Sequence, residues 1–452
     1  MTWKPRRGRR GVRAVAGLTG AFLAAGTLVA CGGGSDDSSG SSGAFGGDIT
    51  GTLTVWDQRS ASQPEWGKVV DTANAAFEKA HPGVTIKMVQ QPTDPDAYSA
   101  AIKGAVTAKS GPDVLSITQG YNGILQYTEA MEPLWGHLDA ATKDNILGWP
   151  LVRPKYATSG EVYAVPIGLQ SFVLAYNKKL FAQAGLDPSK PPTTFDELIA
   201  DGKALKAKGI TALDGGNKEG YINGWWTSFL GASLLTQEQT TQMALGDLPA
   251  NDPAMKTVYT KYQQVYQELY APSYLSTSIN PDLGIGSFKK GKSAMVMWLG
   301  SRMADLSTSI GKDNVGVATA ISIDGKGPNY RPAAPDYTYA VPRFAKNKAA
   351  ALAYIEYITG AEIQGKLYQA GQLLPNNKAV DLGSGGTAGQ VAVTVAKDYA
   401  DNPILNGIHS LWQLPVEQES ERQLQLVLQR STSVDDALKA VKNAQDVAKS
   451  GG

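Results

Sequence analysis

Cysteine and histidine are almost absent: the 452 residues hold one cysteine, Cys31, and three histidines, His81, His137 and His409. A single cysteine excludes an intrachain disulfide and any cysteine-rich metal site. Three scattered histidines, none with a partner at ligand spacing, argue against a zinc centre. No metal or cofactor is expected. There is no G-x-S-x-G elbow, so a serine hydrolase of that type lacks its signature. Beyond the first thirty residues no apolar run approaches the roughly 20 residues that span a bilayer. Basic charge is also scarcer than the net of +1 implies, because six of the 42 lysines and arginines precede position 14. Without residues 1–30 there remain 36 basic and 41 acidic residues, a net of −5. That balance speaks against a nucleic-acid binder, which needs a basic face.

What is present begins with an address. Lys4 to Arg13 is a basic head, Ala14 to Val29 is uncharged and rich in Ala, Gly, Leu and Val, and Leu28-Val29-Ala30-Cys31 follows. This is signal-peptide anatomy. The last four residues resemble the lipobox of bacterial lipoproteins, which implies that Cys31 becomes the first mature residue and carries a lipid. The other reading is an ordinary cysteine near a plain cleavage site. Arginine pairs at 6–7 and 9–10 hint at twin-arginine export, without the full motif. Residues 32–48, GGGSDDSSGSSGAFGGD, have too little apolar surface to order themselves and read as a tether. Residues 1–30 are thus taken as signal peptide and 31–50 as lipidated cysteine and tether. The rest is expected outside the cell, held at the outer face of the cell membrane by lipid.

The remaining chain alternates strand-like and helical patterns. TLTVW (52–56), VTIKMV (84–89) and DVLSI (113–117) read as strands. Trp66, Val69, Val70, Ala73 and Phe77 share a helical face that stops at His81-Pro82-Gly83, and Tyr98, Ala101, Ile102 and Ala105 mark a second helix. This β-α-β-α-β order predicts a parallel sheet with right-handed crossovers. Val162 to Val165 and Phe172 to Tyr176 read as two further strands, and Ala294 to Trp298 as another. Helices are predicted after the capping box Thr194-Phe195-Asp196-Glu197, from Pro253 to Leu269, from Ala349 to Thr359, and after Ser433-Val434-Asp435-Asp436.

Some motifs mislead. Gly286 to Ser293 (GSFKKGKS) fits the P-loop pattern letter for letter. A P-loop needs a strand before it and a helix after it, whereas here a strand-like AMVMW follows. Adjacent acids such as Asp94/Asp96, Glu417/Glu419 and Asp435/Asp436 are expected by chance among 41 acidic residues. A glycosidase needs two carboxylates flanking one sugar bond, which spacing in a sequence does not show.

Several segments taken in order resemble the family 1 extracellular solute-binding proteins of ABC importers, the group that includes maltose-binding protein. They are TLTVW (52–56), AAFEKAHPGVTIK (75–87), GPDVL (111–115), VYAVPIGLQSFVLAYNKKLFAQAG (162–185), PPTTFDELIADGKAL (191–205), FKKGKSAMVMWLGS (288–301), YAVPRFAKNKAAALAYIEYI (339–358) and STSVDDALK (431–439). The resemblance implies an α/β, periplasmic-binding-protein-like type II fold, with two α/β lobes joined by a three-segment hinge. It places the crossings near Pro166–Gln170, Pro335–Tyr337 and Asn402–Gly407. The N-terminal lobe is then 51–167 plus 337–402, and the C-terminal lobe 168–335 plus 403–452. It further implies a non-enzymatic, monomeric receptor that closes on a carbohydrate, an oligosaccharide by preference. The receptor delivers its sugar to the transmembrane subunits of a permease driven by a cytoplasmic ATPase.

Sugar recognition combines planar polar groups for the hydroxyls with aromatic faces for the C–H faces. Open α/β sheets bind ligands where strands run into loops. Those positions are Asp57, Gln58 and Arg59 after the first strand, and Gln119 and Tyr121 after the third. Gln170, Asp336 and Tyr337 lie at the crossings, with Trp298 and Arg302 after AMVMW. Of the adjacent pair Trp225 and Trp226, one is expected to face the cleft, with Trp225 preferred by its position relative to maltose-binding protein. Trp412 and His409 are weaker candidates near the third crossing. Trp66 and Trp56 are expected to pack inside. The region after GPDVL departs from the family's aromatic-Asp pair, reading Thr118-Gln119-Gly120-Tyr121. Rival readings are a receptor for a sugar-phosphate, polyol or peptide, favoured if Arg59 and Arg302 converge; an exported glycoside hydrolase; and a lipoprotein adhesin or scaffold.

Overall fold

The computed structural model describes residues 45–450, apart from 61, 122, 158, 280–283 and 327–329. The expected signal peptide, Cys31 and most of the expected tether lie outside the described residues.

The chain begins β1 (Gly51–Asp57), α1 (Pro64–Ala80), β2 (Val84–Gln90), α2 (Pro95–Ala108), β3 (Val114–Ile117), α3 (Ala140–Asn145), β4 (Val165–Asn177) and α4 (Lys178–Ala184). It continues α5 (Phe195–Ala207), β5 (Thr211–Asp214), α6 (Tyr221–Gly231), α7 (Gln237–Leu245), α8 (Pro253–Leu269), α9 (Gly286–Lys289), β6 (Ser293–Leu299), α10 (Met303–Ile310) and β7 (Val315–Ala318). The last part holds β8 (Arg331–Ala340), α11 (Lys348–Ile358), α12 (Ala361–Gln369), α13 (Gln390–Asp401), β9 (Ile404–Asn406), α14 (Ile408–Leu411), α15 (Leu414–Leu428) and α16 (Val434–Ser450).

Local chemistry explains these bounds. In α1 a proline starts the helix, Glu65 and Lys79 suit its two ends, and Trp66, Val70, Ala73 and Phe77 form the buried stripe. The predicted capping box closes α5, with the Glu197 amide on Thr194 Oγ1 at 3.2 Å and the Thr194 amide on Glu197 Oε2 at 3.1 Å. The P-loop look-alike is α9 leading into β6, helix before strand, which reverses the order a phosphate cradle requires.

β1 pairs in parallel with β2 and β3, as the β-α-β-α-β reading predicted. The strands run β2-β1-β3-β8-β4-β6-β5, with β7 on β4 and β9 on β8. The two strands expected at 162–165 and 172–176 are one strand of 13 residues, β4. Its first part, Val165 to Ser171, pairs with β8; its second, Phe172 to Asn177, pairs with β6 and β7. One continuous strand thus changes partners between Ser171 and Phe172, and Gly168 lies in the part paired with β8. Gly168 has φ +67°, and a Cβ there would lie 2.1 Å from Leu373 Cδ1. Its amide donates to Asn376 Oδ1 at 2.9 Å. Fully buried Asn376 also accepts from Gln364 Nε2 and donates to the Leu147 carbonyl, both at 2.8 Å.

α11 contacts β1 and α1, and α12 contacts α1, on the β1–β3 side. α13 contacts β7 and α10 instead, and its Tyr399 hydroxyl donates to the carbonyl of Pro332 at 2.9 Å.

Gly168→Ala is expected to destabilise the protein by about 2–4 kcal/mol in urea unfolding, because left-handed backbone strain and overpacking add. Gly185→Ala, at φ +83° with nothing within 4 Å, is expected to cost only about 1 kcal/mol.

Candidate ligand cleft

The loop after β1 is built around its own hydrogen bonds. Asp57 Oδ2 accepts from the Ser60 amide at 2.8 Å and from Gln90 Nε2 at 3.1 Å. Gln58 Nε2 donates to the Pro92 carbonyl at 2.8 Å, and Tyr337 donates its hydroxyl to Gln58 Oε1 at 2.8 Å. Arg59 grips Asp336 of β8 in a two-pronged pair at 2.7 and 2.6 Å. Its guanidinium lies between the Tyr337 ring, 4.2 Å from the centroid, and the Trp66 ring at 4.8 Å. Burial alone would lower the Arg59 pKa; the Asp336 carboxylate outweighs that and holds it above the usual range. Four predicted residues are thereby joined, Arg59 to Asp336 and Tyr337 to Gln58, with the Arg59 guanidinium on the Tyr337 ring, while Asp57 beside them is spent on Ser60 and Gln90.

The opposing wall contains residues that sequence reasoning did not single out. Tyr221 opens α6 and is 50% exposed, one of only two large apolar side chains so exposed among the described residues. Glu421 of α15 packs beside Gly220, its Cβ 3.5 Å from where a glycine Cβ would stand. Burial raises the Tyr221 hydroxyl pKa, and the charges of Glu421, Glu417, Tyr337 and Asp94 add to the shift. Tyr337 and Asp94 belong to the β1–β3 side, whereas Tyr221, Glu417 and Glu421 belong to α6 and α15. Tyr221 therefore feels charges from both sides. Loss of hydration pushes the Glu421 carboxyl up to about 7. The available signal was Gly220-Tyr221 at a loop-to-helix junction, outranked in the sequence by the double tryptophan that follows.

The other predicted residues are placed as follows. Gln170 is half-buried on β4, opposite Ala334. Gln119 is buried with Oε1 lacking a partner, and the Tyr121 hydroxyl accepts from the Lys155 amide at 3.0 Å. Trp225 packs against Phe172 and Trp298, with centroids 5.9 and 6.0 Å away. Trp298 donates to the Arg302 carbonyl at 3.3 Å. Arg302 pairs with Asp305, its neighbour one turn along, and so does not converge with Arg59. Trp226 is fully buried, stacked on Tyr262 and donating to the Tyr270 hydroxyl at 2.9 Å, which leaves no ring surface for a ligand. Trp412 is likewise in the core. The helical turn resolves the tryptophan pair: residues 225 and 226 point about 100° apart, and α6 is buried on nearly every side.

Two outcomes follow. Asp336→Asn is expected to cost about 3–5 kcal/mol in denaturant unfolding, since it strands a buried guanidinium. For Glu421, the folded pKa of about 7 exceeds the ordinary 4.5, so its contribution to stability is intact below pH 4.5 and is lost as pH rises through 7. Glu421→Gln is therefore expected to raise the unfolding free energy at pH 8, on the order of 1–3 kcal/mol, and to leave it unchanged near pH 4.

A family model described as bacterial extracellular solute-binding protein matches residues 60–365. The curated relatives include an sn-glycerol-3-phosphate-binding periplasmic protein of Yersinia pestis, 30% identical over 165 residues, which are 36% of each chain. Its counterpart in Salmonella typhimurium is 30% identical over 178 residues, 38% of each. The matches thus span little more than a third of these relatives. Among solved structures, a chitin oligosaccharide binding protein superposes with a TM-score of 0.74 at 22% identity, covering 89% of this chain and 100% of the other. The apo-form of RafE from Streptococcus pneumoniae gives 0.71 at 21% identity, covering 89% and 99%, and RafE in complex with raffinose gives 0.68 at 21% identity, covering 88% and 100%. These share the chain's α/β, periplasmic-binding-protein-like fold. With more than half of its length matched by that model, the chain belongs to the family of bacterial extracellular solute-binding proteins.

Proposed function

We propose that the protein is the substrate-binding receptor of an ABC importer and that its ligand is a neutral carbohydrate, an oligosaccharide by preference. The observation that carries this reading is the half-exposed Tyr221 ring beside Glu421 and Glu417, facing Tyr337 and Asp94. An open aromatic face flanked by carboxylates offers a platform for a sugar's C–H face and acceptors for its hydroxyls. Structural relatives include proteins named for chitin oligosaccharide and raffinose. In the same reading the leader exports the chain and Cys31 anchors it, and closure of the halves presents the loaded form to the permease.

The halves meet near residues 167–168 and 335–337. The packing of α13 against β7 and α10 favours a third crossing between α12 and α13, in 370–389, over the 402–407 expected from the resemblance.

The glycerol phosphate named by the 30% relatives supports a second reading, an anionic ligand. Charge favours the first: Arg59 and Arg302 are both held by aspartates, and the Tyr221 side of the cleft is acidic. A hydrolase would need carboxylates flanking a glycosidic bond, whereas Glu417 and Glu421 sit one turn apart on one helix.

Thermal-shift titration of residues 49–452 with chitin, xylan, raffinose-series and maltodextrin oligosaccharides and with glycerol phosphate tests this. A ligand at 100-fold over its Kd adds about 2.7 kcal/mol. One sugar class is expected to shift the midpoint and be recovered uncleaved, with Tyr221→Ala weakening it about 10-fold or more. A response to glycerol phosphate alone would transfer the assignment to the second reading.

A further inference from the structure

A cavity of about 310 Å³ opens among Trp135, Trp149, Pro150, Arg153, Ser159 and Gly160. Its floor is unusual in charge. Arg153 is only 3% exposed, as buried as many core side chains. Its Nε donates to the Gly160 carbonyl at 3.1 Å, and its guanidinium lies 4.5 Å from the centre of the Trp135 ring. Among the described residues no carboxylate stands within ion-pairing distance of it. Glu161 reaches it only through its field, and burial, the larger influence, lowers the Arg153 pKa. Among the described residues, the half-buried Arg59 and Arg331 are by contrast neutralised at short range, by Asp336 and Asp398.

A buried guanidinium without a counter-charge is costly, and an aromatic face attracts it without neutralising it. Lys143 adds a second cation, 5.6 Å from the same Trp135 ring. The two tryptophans meet edge to face at 5.4 Å, and Trp149 spends its single donor on the Lys143 carbonyl at 3.1 Å. What the tryptophans offer the cavity is therefore apolar and π surface, beside a two-pronged donor that matches a carboxylate.

We propose that this cavity is a second ligand site, distinct from the cleft, which binds an acidic sugar: the carboxylate of a uronate on Arg153 and its ring against the tryptophans. The site works whether or not the cleft binds carbohydrate, since it shares none of the residues of that cleft.

The test uses the mature chain at low ionic strength, with sodium glucuronate, sodium phosphate and glucose as probes, read by unfolding midpoint and tryptophan emission. Glucuronate is expected to raise the midpoint by about 1–2 °C and change the emission, with glucose inert. Arg153→Met is expected to abolish both responses. Ser159→Glu, at the exposed rim, places a tethered carboxylate at the mouth; it is expected to raise the midpoint without any anion and to remove the glucuronate response. A glucuronate response that survives in Arg153→Met, or an equal response to glucose, overturns the proposal. So does a wild type silent to glucuronate together with a Ser159→Glu variant that gains nothing. Phosphate acting as strongly as glucuronate overturns the sugar part of the assignment.

Discussion

The ladder between Val165–Ser171 of β4 and Ala333–Tyr339 of β8 is where the two halves of this protein become one molecule. Backbone that leaves one sheet for another must still have its amides and carbonyls satisfied. Here β4 does so by changing partners in mid-strand, from β8 to β6 and β7. Two side-chain devices brace the part of the ladder that precedes this change. Asn376 takes the amide of Gly168, and Arg59 takes the carboxylate of Asp336, the β8 residue that stands across from Gly168 in the same register. Both Asn376 and Arg59 come from loops outside the ladder, so the junction is braced from the β1–β3 side of the fold.

That bracing has a chemical consequence. Arg59 is consumed by Asp336 and sandwiched between Trp66 and Tyr337, so the most conspicuous cation near the cleft is structural. The far wall, with Glu417 and Glu421 about Tyr221, is left without that positive charge. A cleft of this kind suits hydroxyl donors better than phosphate oxygens, which is why the neutral-sugar reading outweighs the phosphate-bearing ligand of the 30% relatives. The same rule, that a buried guanidinium needs a partner, separates Arg59 and Arg331 from Arg153.

Much of the fold was legible because periodicity and end signals act locally. The apolar stripe of α1, the capping box of α5 and the bounds of α8 at Pro253 and Leu269 depend on residues within a turn or two of each other. The P-loop pattern failed for an equally local reason, since the strand-prone AMVMW followed it. The single strand β4 was not legible: two separate strand-like runs hid Gly168, whose φ is set by Leu373 and Asn376 about 200 residues away. The site was legible on one side only. Strand-to-loop logic found Asp57, Gln58 and Arg59, but it could not show that Gln58 bonds to Tyr337, Arg59 to Asp336, and Asp57 to Ser60 and Gln90. Tyr221 was missed because two tryptophans carry more ring surface, and ring surface says nothing about which side of a helix meets solvent.

The sequence by itself determined the opening β-α-β-α-β order, the family the chain belongs to and the scarcity of metal-binding side chains. Each of these is written in neighbouring residues or in composition. Only the tertiary structure decided which polar groups are already satisfied and which remain open. Arg59, Arg302 and Arg153 are the same side chain in similar loop contexts, yet the first is neutralised by a residue 277 positions away, the second by one three positions on, and the third by none of the described residues. Desolvation and pairing depend on distances through space, and those exist only once the chain has folded.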